Sequence, residues 1–381
     1  MICHCKRKPA LKILLLSILV VISVQLVRPS VQENTYLVRD TSHSVTGHNK
    51  GSVEQKFNPG DMIMEHVVDN HEWHIATIGN LHLTIPLPVI LLYRGHLYTF
   101  WSFKFHTEDH SFKGFTVGRE GAVKGKIVTL RQAAGGKDAG VYDFSITKTV
   151  LAILISGLLL VLIFVNVANR YTRHKNKAPT GMQNLFETFI IFIRNEIAKS
   201  SIGEKMYEKY LPYLLTIFFF IFFNNLLGMI PIFPGGANVT GNIAVTGVMA
   251  AFTLIITTIN GNKHYWIDIV NTPGVPVWLK LPVPLMPVVE FLGVITKPFV
   301  LMIRLFANIT AGHIIILGFI SIIFIFGQTS ATLGIGIGIP TLLFMIFMDL
   351  LELLVAFIQA YVFTLLSALY FGLATTEPEH H

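Results

Sequence analysis

The chain has 381 residues, of which 52% are hydrophobic and only 13% are charged, about half the charged fraction typical of soluble proteins. This composition excludes an ordinary soluble enzyme and predicts an integral membrane protein. The net charge of +7 does not indicate nucleic-acid binding, because the basic residues gather in short clusters without interleaved aromatic side chains.

The N-terminal 29 residues have the pattern of a targeting segment. A basic cluster at residues 6–8 and Lys12 precede an uncharged apolar run from Ile13 to Val27. Such a run is typical of a secretory signal peptide, or of an anchor helix that is not cleaved. In either case we expect residues 30–145 to form a region outside the cytoplasm and residues 146–381 to form the membrane domain.

The region 30–145 contains nine of the fifteen histidines. Several lie near carboxylates, in the group Glu65, His66, Asp69, His71, Glu72 and His74. Their spacing matches no standard closed zinc site, so we predict a solvated external cap without a metal, with zinc binding as the alternative. The stretch 83–105 is rich in β-forming residues, and Arg94-Gly95 is a plausible hairpin turn, so some β-structure is expected here.

Three apolar spans and one amphipathic segment follow. We expect membrane helices at about 147–168, 212–230 and 243–261, and a helix along the membrane interface at about 182–200. The loop 170–177 carries four basic residues, which predicts that it is cytoplasmic.

Two long apolar stretches close the chain, at about 286–327 and 339–375. Each is too long for one upright span of about 20 residues. We expect two long tilted helices in a hairpin with the sequence SATLGIGIGIP as the turn; four short helices are the alternative. The predicted fold is therefore an all-α polytopic membrane protein of five to six helices, preceded by an external N-terminal region with some β-structure.

Arg304 is the most informative charge in the membrane part. No other Asp, Glu, Lys or Arg lies between it and Asp349, and burial cannot neutralise a guanidinium. Placing it at mid-bilayer costs roughly 3 kcal/mol on insertion scales. Its side chain could extend to the membrane surface from a helix end. The apolar run on both sides instead favours a position at mid-membrane, where the charge has an ion-pair partner or a function.

Helical phase groups the polar residues of the two long helices. At about 100° per residue, the residues on the same face as Arg304 are Glu290, Lys297 and Asn308. His313 falls on the opposite face of that helix. On the last helix, Glu352 and Gln359 differ by about 20° and share a face. Charged and polar side chains in a membrane must face protein or water rather than lipid.

These residues have the chemistry of an intramembrane proton relay. An imidazole and a carboxylate can pass protons near neutral pH, whereas a permanent guanidinium blocks direct passage and attracts an anion. Two simpler interpretations stay open. His313 and Glu352 could be a buried pair that fixes helix packing, and Gln359 could make an interhelical hydrogen bond worth under about 1 kcal/mol.

The motif around Arg304 resembles a known family. Residues 297–313 read KPFVLMIRLFANITAGH, which is similar to the KPxxxxxRLFGNxxAG motif of subunit a in the membrane sector of F-type ATP synthases. Asn224-Asn225-Leu226-Leu227-Gly228 and Gln359-Ala360-Tyr361-Val362-Phe363 resemble two further motifs of that family. The chain departs from the pattern at Ala307, where glycine is usual, and at His313 and Glu352, where the usual Glu and His are exchanged.

The resemblance implies a proton-conducting stator subunit rather than an enzyme, with no cofactor. It implies two half-channels against a rotating ring of c subunits, with Arg304 between them. The other residues that it implicates in proton translocation are Glu290, Asn308, His313, Glu352 and Gln359. It also implies peripheral-stalk b subunits as partners and a bacterial inner membrane as the location, and leaves open whether the ion is H⁺ or Na⁺. A secondary transporter that uses Arg304 for an anionic substrate is the alternative.

Overall fold

The computed structural model describes residues 59–60, 63, 69–78, 81–106, 111–118, 125–133, 140–173, 178–230, 235–271 and 285–375. The leader at 1–29, the metal-ligand candidates Glu65 and His66, and residues 174–177 of the basic loop lie outside these ranges. The described residues belong to two compact units. One contains residues 149–312 and 349–375, and the other contains residues 69–148 and 313–348.

The described part of the N-terminal region forms three small antiparallel sheets. The first pairs β1 (Glu72–Ile78) with β2 (Leu81–Pro86). The second has the order β4 (His96–Trp101), β3 (Pro88–Tyr93), β8 (Tyr142–Asp143). The third has the order β5 (Ser111–Phe112), β6 (Phe115–Val117), β7 (Ile127–Thr129). The predicted β-structure is therefore confirmed.

The β3–β4 hairpin turns at Arg94-Gly95, as the sequence predicts. Both residues adopt positive φ angles, 50° and 81°, a combination that glycine accepts without strain. The hairpin contributes Val89 and Leu91 to a core that also contains Phe105 and Phe115. Aromatic edge-to-face contacts consolidate this core, for example between Tyr98 and Phe115, whose ring centroids are 5.1 Å apart.

Polar bonds fix the N-terminal region to the start of the first long helix. The Nε2 atom of His71 lies 2.7 Å from Oδ2 of Asp143, and the Thr147 hydroxyl donates to Oδ2 of Asp69 at 2.8 Å. The Lys148 N–H donates to the Asn70 carbonyl at 2.9 Å. Asp69 and His71, two members of the predicted metal-ligand group, thus make bonds that tie separate segments together.

Seven α-helices of 8 residues or more are described between residues 148 and 375, and each forms from an apolar or an amphipathic sequence. In chain order they are α1 (Lys148–Arg173), α2 (Met182–Phe192), α3 (Tyr207–Met229), α4 (Ile243–Ile259), α5 (Lys263–Val270), α6 (Leu285–Thr329) and α7 (Ala331–Thr375). The chain continues from α2 through a π-helical segment, Ile193–Lys199, and a short turn of helix, Ser200–Ile202.

Four described helices, α1, α3, α6 and α7, are long and apolar enough to cross a membrane. A fifth span is formed if α4 and α5 count together, because they are joined by a bend of 101°. The predicted fold class is confirmed, and the third expected span corresponds to α4, which ends at the bend.

Phenylalanine packing holds the first helices of the membrane part together. The Phe164 ring of α1 contacts the Phe219 ring of α3 at 4.8 Å between centroids, and Phe186 of α2 contacts both. Phe218 and Phe220 are also fully buried. Because lipid is as apolar as these side chains, such close packing rather than the hydrophobic effect stabilises the helix contacts.

The two long C-terminal helices are confirmed, but the predicted turn between them is wrong. The chain reverses at Ser330, and the sequence SATLGIGIGIP is helical from Ala331 onward. An irregular apolar loop would leave backbone groups without hydrogen bonds in lipid, whereas a helix satisfies them. Gly334 serves close packing instead, because a methyl group there would come within 2.8 Å of the Gly327 Cα atom.

Candidate functional site

Helix α6 has a narrow buried ridge beside an exposed surface. The buried side chains Leu301, Leu305 and Ile309 recur every fourth residue, which places them on one face of a helix. Arg304 lies at the edge of this ridge and is exposed on the chain, together with Ala307 and Asn308. The permanent charge therefore lies on the exposed surface of α6, next to Ala307 and Asn308.

Lys297, which shares a face of α6 with Arg304, lines a small cavity among α4, α5, α6 and α7. Its Nζ atom lies 5.8 Å from the centre of the Tyr370 ring. The other polar residues that line the cavity are Thr253, Thr257 and Tyr265. Glu290, two helical turns before Lys297, is half-buried and acts electrostatically on Tyr265.

Glu352 and Gln359 lie on the buried face of α7. Their side chains are only 8% and 6% exposed, and Ala356, between them in sequence, is fully buried. The neighbouring Asp349 is exposed. A carboxyl and a carboxamide are thus held inside the helix packing, two turns apart on one helix.

The Glu352 side chain reaches α6 at Gly312. A methyl group on Gly312 would come within 3.2 Å of Oε1 of Glu352, a distance shorter than ordinary contacts between carbon and oxygen. Because Gly312 has no side chain, the Glu352 carboxyl can lie close to α6.

A buried hydrogen-bond chain meets α7 between Glu352 and Gln359. The Thr240 hydroxyl donates to Oδ1 of Asn225 at 2.5 Å, and Nδ2 of Asn225 donates to the Ala356 carbonyl at 3.3 Å. In the sequence, Asn225 served only as part of a family motif. Its bond to α7 joins residues 131 positions apart in the sequence, which a single sequence does not reveal.

His313 is half-buried and falls in the compact unit that also contains the N-terminal region. Within that unit, the ammonium group of Lys148 at the start of α1 acts on it electrostatically. The structure thus brings His313 near a cation of the first helix, which the sequence did not indicate.

The described residues contain no group of three or more His, Cys, Asp or Glu side chains placed to hold a metal ion. Glu65, His66 and the side chain of His74 lie outside the described part. Asp69 and His71 have protein partners, Thr147 and Asp143, as given above.

Comparison with known protein families identifies the membrane part. The model of a family described as ATP synthase A chain matches residues 150–372, more than half of the chain. The chain belongs to this family. A second family model, described as a domain of unknown function (DUF8433), matches residues 62–144, so the N-terminal region has relatives of its own.

Curated members of the ATP synthase A chain family are similar over most of the sequence. A protein named ATP synthase subunit a 2 from Chlorobaculum tepidum is 39% identical over 347 residues, which is 88% of this chain and 80% of the relative. One named ATP synthase subunit a from Chlorobium phaeobacteroides is 37% identical, covering 89% of this chain and 81% of the relative. A Myxococcus xanthus protein of the same name is 39% identical, covering 69% and 84%.

Family membership and the apolar helices together make the chain a multi-pass membrane protein and a subunit of an ATP synthase. The family motif that contains Arg304 lies on α6, the helix with the exposed surface described above.

Proposed function

We propose that this chain is the stator subunit that conducts protons through two half-channels and couples their flow to rotation of a ring of c subunits. The observation that carries the proposal is the position of Arg304. In a family of ATP synthase subunits, a permanent cation lies on an exposed surface of a long membrane helix, beside Ala307 and Asn308. A charge in this place needs an anion outside the chain, and a carboxylate on a moving partner would supply it.

Arg304 would separate the two half-channels. A guanidinium stays protonated at physiological pH, so it cannot pass a proton directly from one route to the other. It would instead favour the ionised form of each passing ring carboxyl, which forces a proton to leave by one route and the next to enter by the other. Asn308, one turn later on the same exposed surface, would position the guanidinium or the ring carboxyl.

His313, Glu352 and Gln359 would line the external half-channel. Burial of Glu352 and Gln359 on one face of α7 supports this role, since a buried carboxyl needs polar surroundings and can exchange protons with them. The hydrogen-bond chain from Thr240 through Asn225 would add polar groups at the same level of the helix.

Glu290 and Lys297 would belong to the cytoplasmic half-channel. The cavity lined by Lys297, Tyr265 and Tyr370 supports this assignment because it lies next to α5, the helix that follows the span from α4. Its polar lining could hold water close to the face of α6 that carries Arg304.

The chain would be non-catalytic and would bind no nucleotide, since the sequence has no glycine-rich phosphate-binding loop. Its partners would be the c-ring, the b subunits of the peripheral stalk and the lipid bilayer. We place it in a bacterial inner membrane, with the N-terminal region outside the cytoplasm and the loop 170–177 inside.

The decisive experiment replaces Arg304 in the assembled enzyme. Arg304→Ala and Arg304→Lys should both reduce ATP-driven proton pumping in inverted vesicles to background, while the complex still purifies with its c-ring because the residue is exposed. Arg194→Ala, which removes a half-buried arginine of the π-helical segment, is the matched control and should pump normally. Coupled pumping that survives in Arg304→Ala would refute the proposal.

A second measurement tests the external route. Passive proton flux through complexes that lack the catalytic sector should fall in His313→Ala and change its dependence on pH. If flux is unchanged, His313 contributes to helix packing only and is not part of the external half-channel.

A further inference from the structure

In the described part of the chain, the β4–β3–β8 sheet has one core face and one largely exposed face. Side chains alternate between the two sides of a strand, and the register pairs Val89 with Phe100 and Leu91 with Tyr98 on the core side. On the other side, Ile90 pairs with Thr99 and Leu92 with both Leu97 and Tyr142.

This second side, the outer sheet face, consists of Ile90, Leu92, Leu97, Thr99, Trp101 and Tyr142. Leu97 is 65% exposed, Trp101 52% and Tyr142 51%. Thr99 is the only polar member of the set. An antiparallel sheet that faces water normally alternates apolar and polar sides, so a largely apolar outer face indicates a surface that is covered in the working protein.

Cations lie at both ends of the sheet, and both are exposed. Arg94 occupies the hairpin turn at one end, with its guanidinium 5.1 Å from the centre of the Tyr93 ring. Lys104 follows Trp101 by three residues at the other end, with its ammonium 5.5 Å from the centres of the Phe103 and Phe112 rings. The described ranges 81–106, 111–118 and 125–133 contain five Lys and Arg residues and no Asp or Glu. The carboxylate of this sheet, Asp143 on β8, is bonded to His71. Tryptophan and tyrosine flanked by cations are typical of the boundary between lipid and water, where anionic headgroups attract Lys and Arg.

The outer sheet face is also tethered close to a bilayer. Tyr142 precedes Lys148, the first residue of the membrane-spanning α1, by six residues. Six extended residues span at most about 20 Å, so the face cannot move far from the membrane surface into which α1 inserts. The membrane surface therefore stays within reach of this sheet.

We propose that the outer sheet face docks onto the surface of the bilayer, with its apolar side chains at the headgroup level and its flanking cations on anionic lipids. Charge complementarity, aromatic composition and the short tether all favour this occupant over a protein. The contact would hold the N-terminal region against the membrane beside α1. This inference needs only that the chain is a membrane protein, and it stands apart from the proton route.

Site-directed spin labelling of the full chain in the assembled complex tests the proposal. The chain has two cysteines, and replacing Cys3 and Cys5 by Ser gives a background for single labels. A nitroxide at Leu97→Cys reports the outer sheet face. Leu130→Cys is the matched control, since Leu130 is 48% exposed but lies in the helical turn Leu130–Ala133, outside this sheet.

In vesicles that contain phosphatidylglycerol, the label at position 97 should collide mainly with oxygen dissolved in lipid, and the label at 130 mainly with a water-soluble nickel complex. We expect the oxygen-to-nickel collision ratio to be at least threefold higher at 97. Vesicles of phosphatidylcholine alone, or the substitutions Arg94→Gln and Lys104→Gln, should reduce that difference by half or more.

Three outcomes would overturn the proposal. A label at 97 that is as accessible to nickel as the label at 130 places the outer sheet face in water. Shielding from both reagents with spin–spin broadening indicates a second copy of the chain, and shielding without broadening indicates another protein segment. Proton pumping is not part of the readout, so loss of pumping in Arg304→Ala and a negative result here are independent.

Discussion

The Oε1 atom of Glu352 lies 3.2 Å from the point at which a side chain of residue 312 would begin, so Gly312 leaves room on α6 for the carboxyl. The two residues belong to different helices and are 40 positions apart in the sequence. Their contact fixes how closely a buried carboxyl of α7 approaches the helix that carries Arg304.

Gly312→Ala should therefore impair proton conduction without preventing assembly. The added methyl group would displace the carboxyl by a few tenths of an ångström, and small misplacements of a proton-transfer group can reduce rates on the order of tenfold. Passive flux through the membrane sector measures the effect. Gly318→Ala is the control, since a methyl group there meets nothing within 4 Å; equal flux in both variants would show that the contact is not used.

Ala307 should limit how closely the exposed surface of α6 can approach the c-ring. Its side chain is exposed next to Arg304, where the family usually has glycine. Ala307→Leu should abolish ATP-driven pumping because three more carbons would separate the two surfaces, and Ala307→Gly should pump at least as well as the natural chain. Ala251→Leu, at an exposed position of α4, should be neutral; if it pumps as poorly as Ala307→Leu, bulk alone explains the loss.

Thr240 should stabilise the membrane part through Asn225. In Thr240→Val the Asn225 oxygen loses its hydrogen-bond donor while it stays buried, and polar contacts of this kind between membrane helices contribute about 1 kcal/mol or less. We expect a modest fall in the resistance of the purified complex to unfolding by sodium dodecyl sulfate. Thr240→Ser keeps the hydroxyl and should behave as the natural protein; similar losses in both would assign the effect to packing.

The bond between His71 and Asp143 predicts a specific loss of stability in acid. Burial would raise the pKa of Asp143, but the hydrogen bond and charge of His71, with hydrogen bonds from Ser145, lower it to about 2 from an ordinary value of 3.8. A depressed carboxyl pKa stabilises the fold above pH 4 by roughly 2 kcal/mol, and this stabilisation disappears as the pH falls from about 4 to about 2.

Asp143→Asn should remove that contribution at neutral pH and flatten the acid dependence between pH 4 and 2. The thermal unfolding of the N-terminal region can be followed through Trp73, which is 2% exposed on β1, with the other three tryptophans replaced by phenylalanine. Parallel pH profiles for the two proteins would contradict the assignment.

The sequence was sufficient for the parts of the protein that depend on local chemistry. The length and hydropathy of α6 and α7, the hairpin turn at Arg94-Gly95 and the common face of Glu352 and Gln359 follow from periodicity and turn preferences. The family motif around Arg304 added the functional interpretation. These signals are contained within one helix or one turn, so no tertiary contact is needed to recognise them.

The parts that the sequence did not reveal depend on contacts between distant residues. The glycine-rich sequence after Ser330 has the composition of a loop, yet it is helical, and Gly334 allows a close approach to Gly327 that only the structure reveals. The bond from Asn225 to the Ala356 carbonyl is also a tertiary feature. His71 and Asp143, 72 residues apart, could not be paired by any spacing rule.

The close approach of Gly327 and Gly334 also limits how this protein can vary. At most positions of α6 and α7, a larger or smaller side chain alters a contact by degrees, and neighbours can adjust to it. At Gly334 the opposing atom is a backbone Cα, which has no rotamer to change. Every other amino acid would place its Cβ atom in the same occupied space. Conservative substitutions at position 334 should therefore be as disruptive as large ones, and the position cannot change by small steps in side-chain size.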